Sequence, residues 1–183
     1  MCLDFTQWKN SFLVLNLVFF FFNPFKMKIA KKIGWILLIA FIAIQFYRPA
    51  KNVEIGDHTA VFLSETNPPQ EVKLILETTC YDCHSNNTAY PWYNNIAPVS
   101  YWLADHVKDG KKHLNFSDWE NYTSKKKDNK LEELVEEVEG GEMPLKEYTW
   151  THKEARLTPD QIEMVIAWAK KSRVLYQLGP QPQ

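Results

Sequence analysis

Residues 72–84, Val72-Lys73-Leu74-Ile75-Leu76-Glu77-Thr78-Thr79-Cys80-Tyr81-Asp82-Cys83-His84, decide how this chain is read. Val72, Ile75, Leu76 and Thr79 recur at helical spacing and run straight into a Cys-x-x-Cys-His motif. That spacing suits covalent attachment of one c-type haem. Two thiols a single helical turn apart reach the two vinyl groups on one edge of a porphyrin, and the adjacent imidazole rises to the iron as proximal ligand. Cys80, Cys83 and His84 are therefore the expected cofactor-binding residues, with His84 on the metal and a single covalent haem c as cofactor.

Other uses of the motif need contexts that are missing. A thioredoxin-like Cys-x-x-Cys sits in a βαβ unit, and no period-2 strand pattern occurs here. A structural zinc site wants four Cys/His ligands in paired clusters, whereas this chain has one cluster, with His106 and His113 seven residues apart. A plain Cys80–Cys83 disulfide in an oxidising compartment stays open as an alternative.

Outward from the motif the pattern is helical throughout, and the expected fold class is all-α. Ser85 to Pro98 is a Pro- and Asn-containing loop, and a second helix is expected from Val99 to Val107 with Val99, Trp102, Leu103 and His106 on one face. Residues 110–126 are expected to be polar and irregular apart from Trp119 and Tyr122. A third helix fits Asn129 to Glu139, with Leu131, Leu134, Val135 and Val138 on its apolar face and Gly140 at its C-cap. Thr158-Pro159-Asp160-Gln161 then combines an N-cap, a first-turn proline and a Gln at the third helical position. Ile162, Val165, Ile166 and Ala169 form the buried stripe of that last helix.

A second axial ligand must come from the remaining Met and His residues. Of the four Met, Met1 and Met27 precede the domain, and Met164 lies off the buried stripe of its helix. Met143 sits in Gly140-Gly141-Glu142-Met143-Pro144, where glycine freedom can aim a thioether inward, and it is the expected sixth ligand. His106, on the apolar face of its helix, is the alternative. His58, His113 and His152 lie in polar stretches and are expected at the surface.

Upstream lie two apolar runs, Ser11–Phe22 and Ile33–Phe46. Starting at Met27 gives a short basic region, Lys28 to Lys32, then an apolar stretch ending at Arg48-Pro49, the order of an export signal or signal anchor. The expected organisation is residues 1–26 untranslated or a hydrophobic leader, 27–49 a signal anchor or signal peptide, 50–67 a polar linker, and 68–178 the haem-binding domain. Basic residues before the run place the domain on the periplasmic side of the cytoplasmic membrane, tethered through the N-terminal helix. The apolar core of 14 residues is short for a span of roughly 20.

The net charge of −1 hides an asymmetry, +5 over residues 1–50 and −6 from Lys51 onward. A mildly acidic domain argues against nucleic acid as partner. Seven Trp in so small a chain suit either an ordinary Trp-rich core or a helical domain that needs flat apolar walls around a flat cofactor.

Cys80-Tyr-Asp-Cys-His-Ser-Asn, Pro91-Trp92-Tyr93, Asn95-Ile96-Ala97-Pro98-Val99-Ser100 and Gly141-Glu142-Met143-Pro144-Leu145 together resemble the bacterial exported haem-binding domain family, over about residues 60–176. The order of elements also resembles class I cytochrome c. The resemblance implies a small cytochrome-c-like helical domain whose first and last helices pack together. It also implies a backbone carbonyl near a proline, here Pro98, to orient His84. The implied function is membrane-tethered electron transfer, as a carrier rather than an enzyme, to a redox partner protein that the sequence does not name. Two alternatives stand beside it. One is a haem enzyme or gas/redox sensor with an open sixth position, and the other a non-haem interaction module built on the disulfide.

Overall fold

The apolar residues around the motif do build helices, and in the computed structural model, which describes residues 24–178, they are joined by helices over much of the rest. No strand occurs among the described residues. The expected leader, with Cys2 and the run Ser11–Phe22, lies outside the described residues apart from its last three positions. The chain divides into two units, Met1–Arg48 and Pro49–Gln183.

The first unit contributes helix α1, Pro24–Ile44. Its large side chains from Ile33 onward are exposed, Trp35 by 66%. Among the described residues no helix is long and apolar enough to cross a membrane. Lys28, Lys31 and Lys32 occupy the early turns, so the uncharged stretch Ile33–Ile44 covers about 18 Å, against about 30 Å of hydrocarbon.

In the second unit, residues 50–67 are not simply a linker. Helix α2, Ala60–Thr66, buries Phe62 completely, with its ring 4.5 Å from Phe116, 5.0 Å from Trp119 and 5.9 Å from Trp168. Asn67, at φ 38°, closes α2 with its N–H on the Leu63 carbonyl, and Pro68-Pro69 lead into the next helix. Helix α3, Gln70–Ile75, passes through a π-helical turn, Leu76–Cys80, into the short helix α4, Tyr81–His84. Val72, Ile75, Leu76 and Thr79 form its buried face, as the spacing predicts. The π turn ends on Cys80, the motif's first residue, and π turns are common at functional sites.

Helix α5 runs from Val99 to His113, six residues beyond the expected end at Val107, and stops at Leu114, which is extended. The stretch expected to be irregular then folds inward. A 3₁₀ helix, Phe116–Asn121, buries Phe116 and Trp119, and Leu114 and Tyr122 are buried on either side of it. Residues 116, 119 and 122 share a face at the three-residue period of a 3₁₀ helix, which a search for the α or β period does not register.

Helix α6, Ser124–Glu139, starts five residues earlier than expected because Thr123 caps it, its hydroxyl accepting from Lys126 N–H at 3.2 Å. Leu131, Leu134, Val135 and Val138 are buried. Lys127 is buried too, its ammonium on Glu65 at 2.8 Å, and Glu65 also accepts from the Tyr176 hydroxyl. After the small helix α7, Tyr148–Thr151, helix α8 spans Pro159–Leu178. The expected capping box forms, with Gln161 N–H on the Thr158 hydroxyl and Thr158 N–H on the Gln161 amide oxygen. Helices α6 and α8 pack along each other, and α3 also contacts α8.

Candidate functional site: the cavity beside Cys80, Cys83 and His84

Between α3–α4, α5, α6 and the loop before α7 lies a cavity of about 680 Å³, within the roughly 300–1,000 Å³ of small-molecule and cofactor sites. Ile75, Leu114, Phe116, Leu134, Val138 and Val165 give it apolar walls. Cys80, Cys83, His84, Met143 and His106, distant in sequence, all line it. At its rim stand Asp105, Asp109, His113, Lys130, Glu133 and Glu137, with Lys130 paired to Glu133 at 2.6 Å.

The two thiols are free. Burial, and then the neighbouring Cys83, push the Cys80 thiol up to about 12; burial, and then the Asp82 carboxylate, push Cys83 up to about 11. Both therefore stay protonated near neutral pH, which disfavours thiolate exchange chemistry.

His84 ends α4 at the cavity wall. Its Nδ1 donates to the Leu114 carbonyl at 3.0 Å, and because a carbonyl only accepts, Nδ1 carries the hydrogen and Nε2 keeps its lone pair. Burial lowers the imidazole's proton affinity and outweighs the carbonyl hydrogen bond, which raises it. The orienting carbonyl is thus Leu114, at the end of α5, and not one near Pro98. Its delivery depends on Gly110. A Cβ there would meet the Cys83 carbonyl oxygen at 2.6 Å and the Cys83 Cβ at 3.0 Å, so only glycine lets α5 lie this close to the motif.

The variable residues of the motif hold its surroundings. Asp82 accepts from Ala89 N–H and from the Tyr148 hydroxyl, each at 2.8 Å, tying both the following loop and α7 to the motif. Tyr81 packs its ring 5.4 Å from Phe116. Behind the loop, Asn52 donates from its side chain to the Ser85 carbonyl and the Thr88 hydroxyl, and its backbone N–H donates to the Tyr90 hydroxyl. Nothing in the sequence pattern singles Asn52 out; its partners lie more than thirty residues away.

Met143 lines the cavity from the turn that ends α6. Glu142 and Met143 N–H groups both donate to the Glu137 carbonyl, and Gly141 takes φ +72°, a conformation an L side chain resists. His106 also lines the cavity, but its Nδ1 donates to the Trp102 carbonyl at 2.8 Å and its ring lies 4.3 Å from the Trp102 ring. His113 is exposed as expected, yet it stands at the rim of this cavity. His58 bonds Ser117, and His152 stacks on Tyr148 at 4.2 Å, half-buried rather than free at the surface.

The residues fit a flat, largely apolar cofactor held from one edge. The volume is adequate, two neutral thiols and a lone-pair nitrogen share one wall, and a thioether is available. The Thr79 hydroxyl, also at the wall, is buried with no hydrogen-bond partner among the described residues. No group of three or more His, Cys, Asp or Glu side chains among the described residues is arranged to hold a metal ion by itself.

A family model described as a haem-binding domain matches residues 39–171, nearly three quarters of the chain. No curated protein and no solved structure matches.

Proposed function

The chain belongs to the haem-binding domain family, and from that premise we propose that it carries one haem covalently through Cys80 and Cys83, with His84 as proximal and Met143 as distal ligand, and serves in electron transfer. The observation that carries this reading is the convergence of those four side chains on one cavity of about 680 Å³. When bound, the haem supplies a one-electron iron couple. Cys80 and Cys83 would hold the haem as thioethers, the S–H of each adding across one vinyl group, which would need no external oxidant or reductant.

The chain's own residues supply the rest. Cys80 and Cys83 would fix one edge, the Leu114 carbonyl holds the His84 ring in the tautomer that leaves Nε2 available, and the apolar walls suit a flat apolar ring. A His/Met pair raises the reduction potential relative to two nitrogen ligands. Met143 is preferred over His106 because it packs against the core, whereas the His106 ring lies against the exposed Trp102 ring. Helical packing of the motif segment against α8 supports a cytochrome-c-like arrangement. The basic start and exposed apolar run of α1 support a tether at the periplasmic side of the cytoplasmic membrane. On this reading the haem-binding domain, expected over 68–178, extends to the segment from Pro49.

The full chain, expressed with a cytochrome c maturation system and then denatured, should retain its haem and give a c-type pyridine haemochrome spectrum. Replacing both Cys80 and Cys83 by Ala should abolish retention. Loss of haem from the denatured wild type would refute covalent attachment.

A further inference from the structure

We propose that Tyr122 is a positioning residue that sets the donor strength of His84 through the Leu114–Asn115 peptide group, an inference that rests on His84 being the proximal ligand. The Leu114 carbonyl and the Asn115 N–H belong to one amide. Its oxygen accepts from His84 Nδ1 at 3.0 Å, and its N–H donates to the Tyr122 hydroxyl oxygen at 3.1 Å. Hydrogen bonds in series through one amide strengthen one another, because giving the N–H an acceptor moves charge onto the oxygen. A more negative Leu114 oxygen draws harder on the His84 Nδ1 hydrogen and makes the ring a stronger donor at Nε2, which favours oxidised iron over reduced.

The amide is held so that it cannot turn away. The Asn115 side chain accepts from Ser117 N–H at 3.0 Å and donates to the Asn86 side-chain oxygen at 2.9 Å, and Asn86 N–H donates to the Ser117 hydroxyl. Tyr122 is fixed as well. It is 7% exposed, its ring 5.7 Å from that of Trp119, with the Lys126 ammonium 3.9 Å from the ring centre. It does not line the cavity, so its influence reaches the iron only through the amide.

The test compares haem-loaded full-length wild type, Tyr122→Phe, Tyr122→Leu and, as control, Tyr176→Phe, whose hydroxyl bonds Trp119 and Glu65 away from this path. Both Tyr122 variants should raise the ratio of reduced to oxidised protein at a fixed ambient potential by roughly two- to threefold. At 59 mV per tenfold for one electron that is a midpoint shift of about 18 to 28 mV. The His84 ring N–H should also exchange faster in both, while Tyr176→Phe should lower thermal stability and leave the potential unchanged. Covalent haem with an unshifted potential in Tyr122→Phe, or a shift in Tyr122→Leu alone, would overturn the inference and leave the haem reading intact. Haem lost from the denatured wild type would overturn both.

Discussion

Replacing Gly110 by Ala sets two effects of opposite sign against each other. Gly110 lies inside α5 with ordinary helical geometry, so helix propensity alone would make Ala more stable by about 0.5 to 1 kcal/mol. The new Cβ, however, would lie 2.6 Å from the Cys83 carbonyl oxygen, where ordinary contact begins at 3.4 Å. That oxygen is backbone and cannot swing aside, so α5 and the motif must part by about 0.8 Å, and overpacking of this kind costs about 1 to 3 kcal/mol. The net expectation is a loss of roughly 0.5 to 2 kcal/mol, or a few degrees in melting temperature, at about 2 to 8 °C per kcal/mol for domains of this size range. The movement also displaces Leu114, whose N–H is held by the Gly110 carbonyl and whose own carbonyl holds His84, so the yield of covalently loaded protein should fall. Thermal unfolding of both proteins, with haem content per chain, measures the two consequences. A Gly110→Ala protein as stable as wild type or more so, with full haem content, would show that propensity prevails and that the close approach to Cys83 is not limiting.

Met143→Ala should remove the weak sulfur-to-iron charge-transfer absorption expected of a His/Met haem and lower the reduction potential, with a stability loss of about 1 to 3 kcal/mol for this partly buried side chain. A spectrum unchanged there but altered in His106→Ala would transfer the ligand role to His106, and rapid carbon monoxide binding by reduced wild type would point to an open site. Lys127→Met strands the Glu65 carboxylate beside the Tyr176 hydroxyl, and because Glu65 is still 35% exposed the expected cost by urea denaturation is about 1 to 3 kcal/mol, less than for a fully buried pair; a change within about 0.5 kcal/mol would count the pair as a surface one. Alkaline phosphatase fused after Ala50 should be active in the periplasm, and strong activity of a cytoplasm-only reporter at that position would reject the outward topology.

The fold was legible where one residue pattern was enough to specify an element. The stripe of α6, the capping box of α8 and the face of α3 each follow from spacing within a dozen residues. Two elements escaped because their stabilisation comes from elsewhere in the chain. Helix α2 is only seven residues long, too short to hold itself by propensity, and it forms because Phe62 completes a cluster with Phe116, Trp119 and Trp168. The 3₁₀ segment around Trp119 reads as irregular in the sequence because its period is three. The polar start of α6 is hidden in the sequence for a related reason. Its first turns carry Lys125, Lys126 and Lys127, yet Thr123 supplies the cap and Glu65 the partner that lets Lys127 be buried.

The site divides in the same way. Cys-x-x-Cys-His and the glycine-flanked Met143 stand out locally because bond-forming residues must be of particular kinds at particular spacings. The residues that aim them need only present a carbonyl, an N–H or an empty space, and many residue types can do that. Leu114 acts on His84 through its backbone oxygen, so its side chain carries no sign of the role, and Gly110 acts by lacking a Cβ. The same short segment, Leu114 to Tyr122, buries Phe116 and Trp119 in the core and delivers that carbonyl to His84. Core stability and ligand orientation are therefore coupled here. A cavity-forming change at Phe116 should disturb His84 together with the core, whereas removal of the Tyr122 hydroxyl leaves the ring in place and alters only the charge on the amide between them.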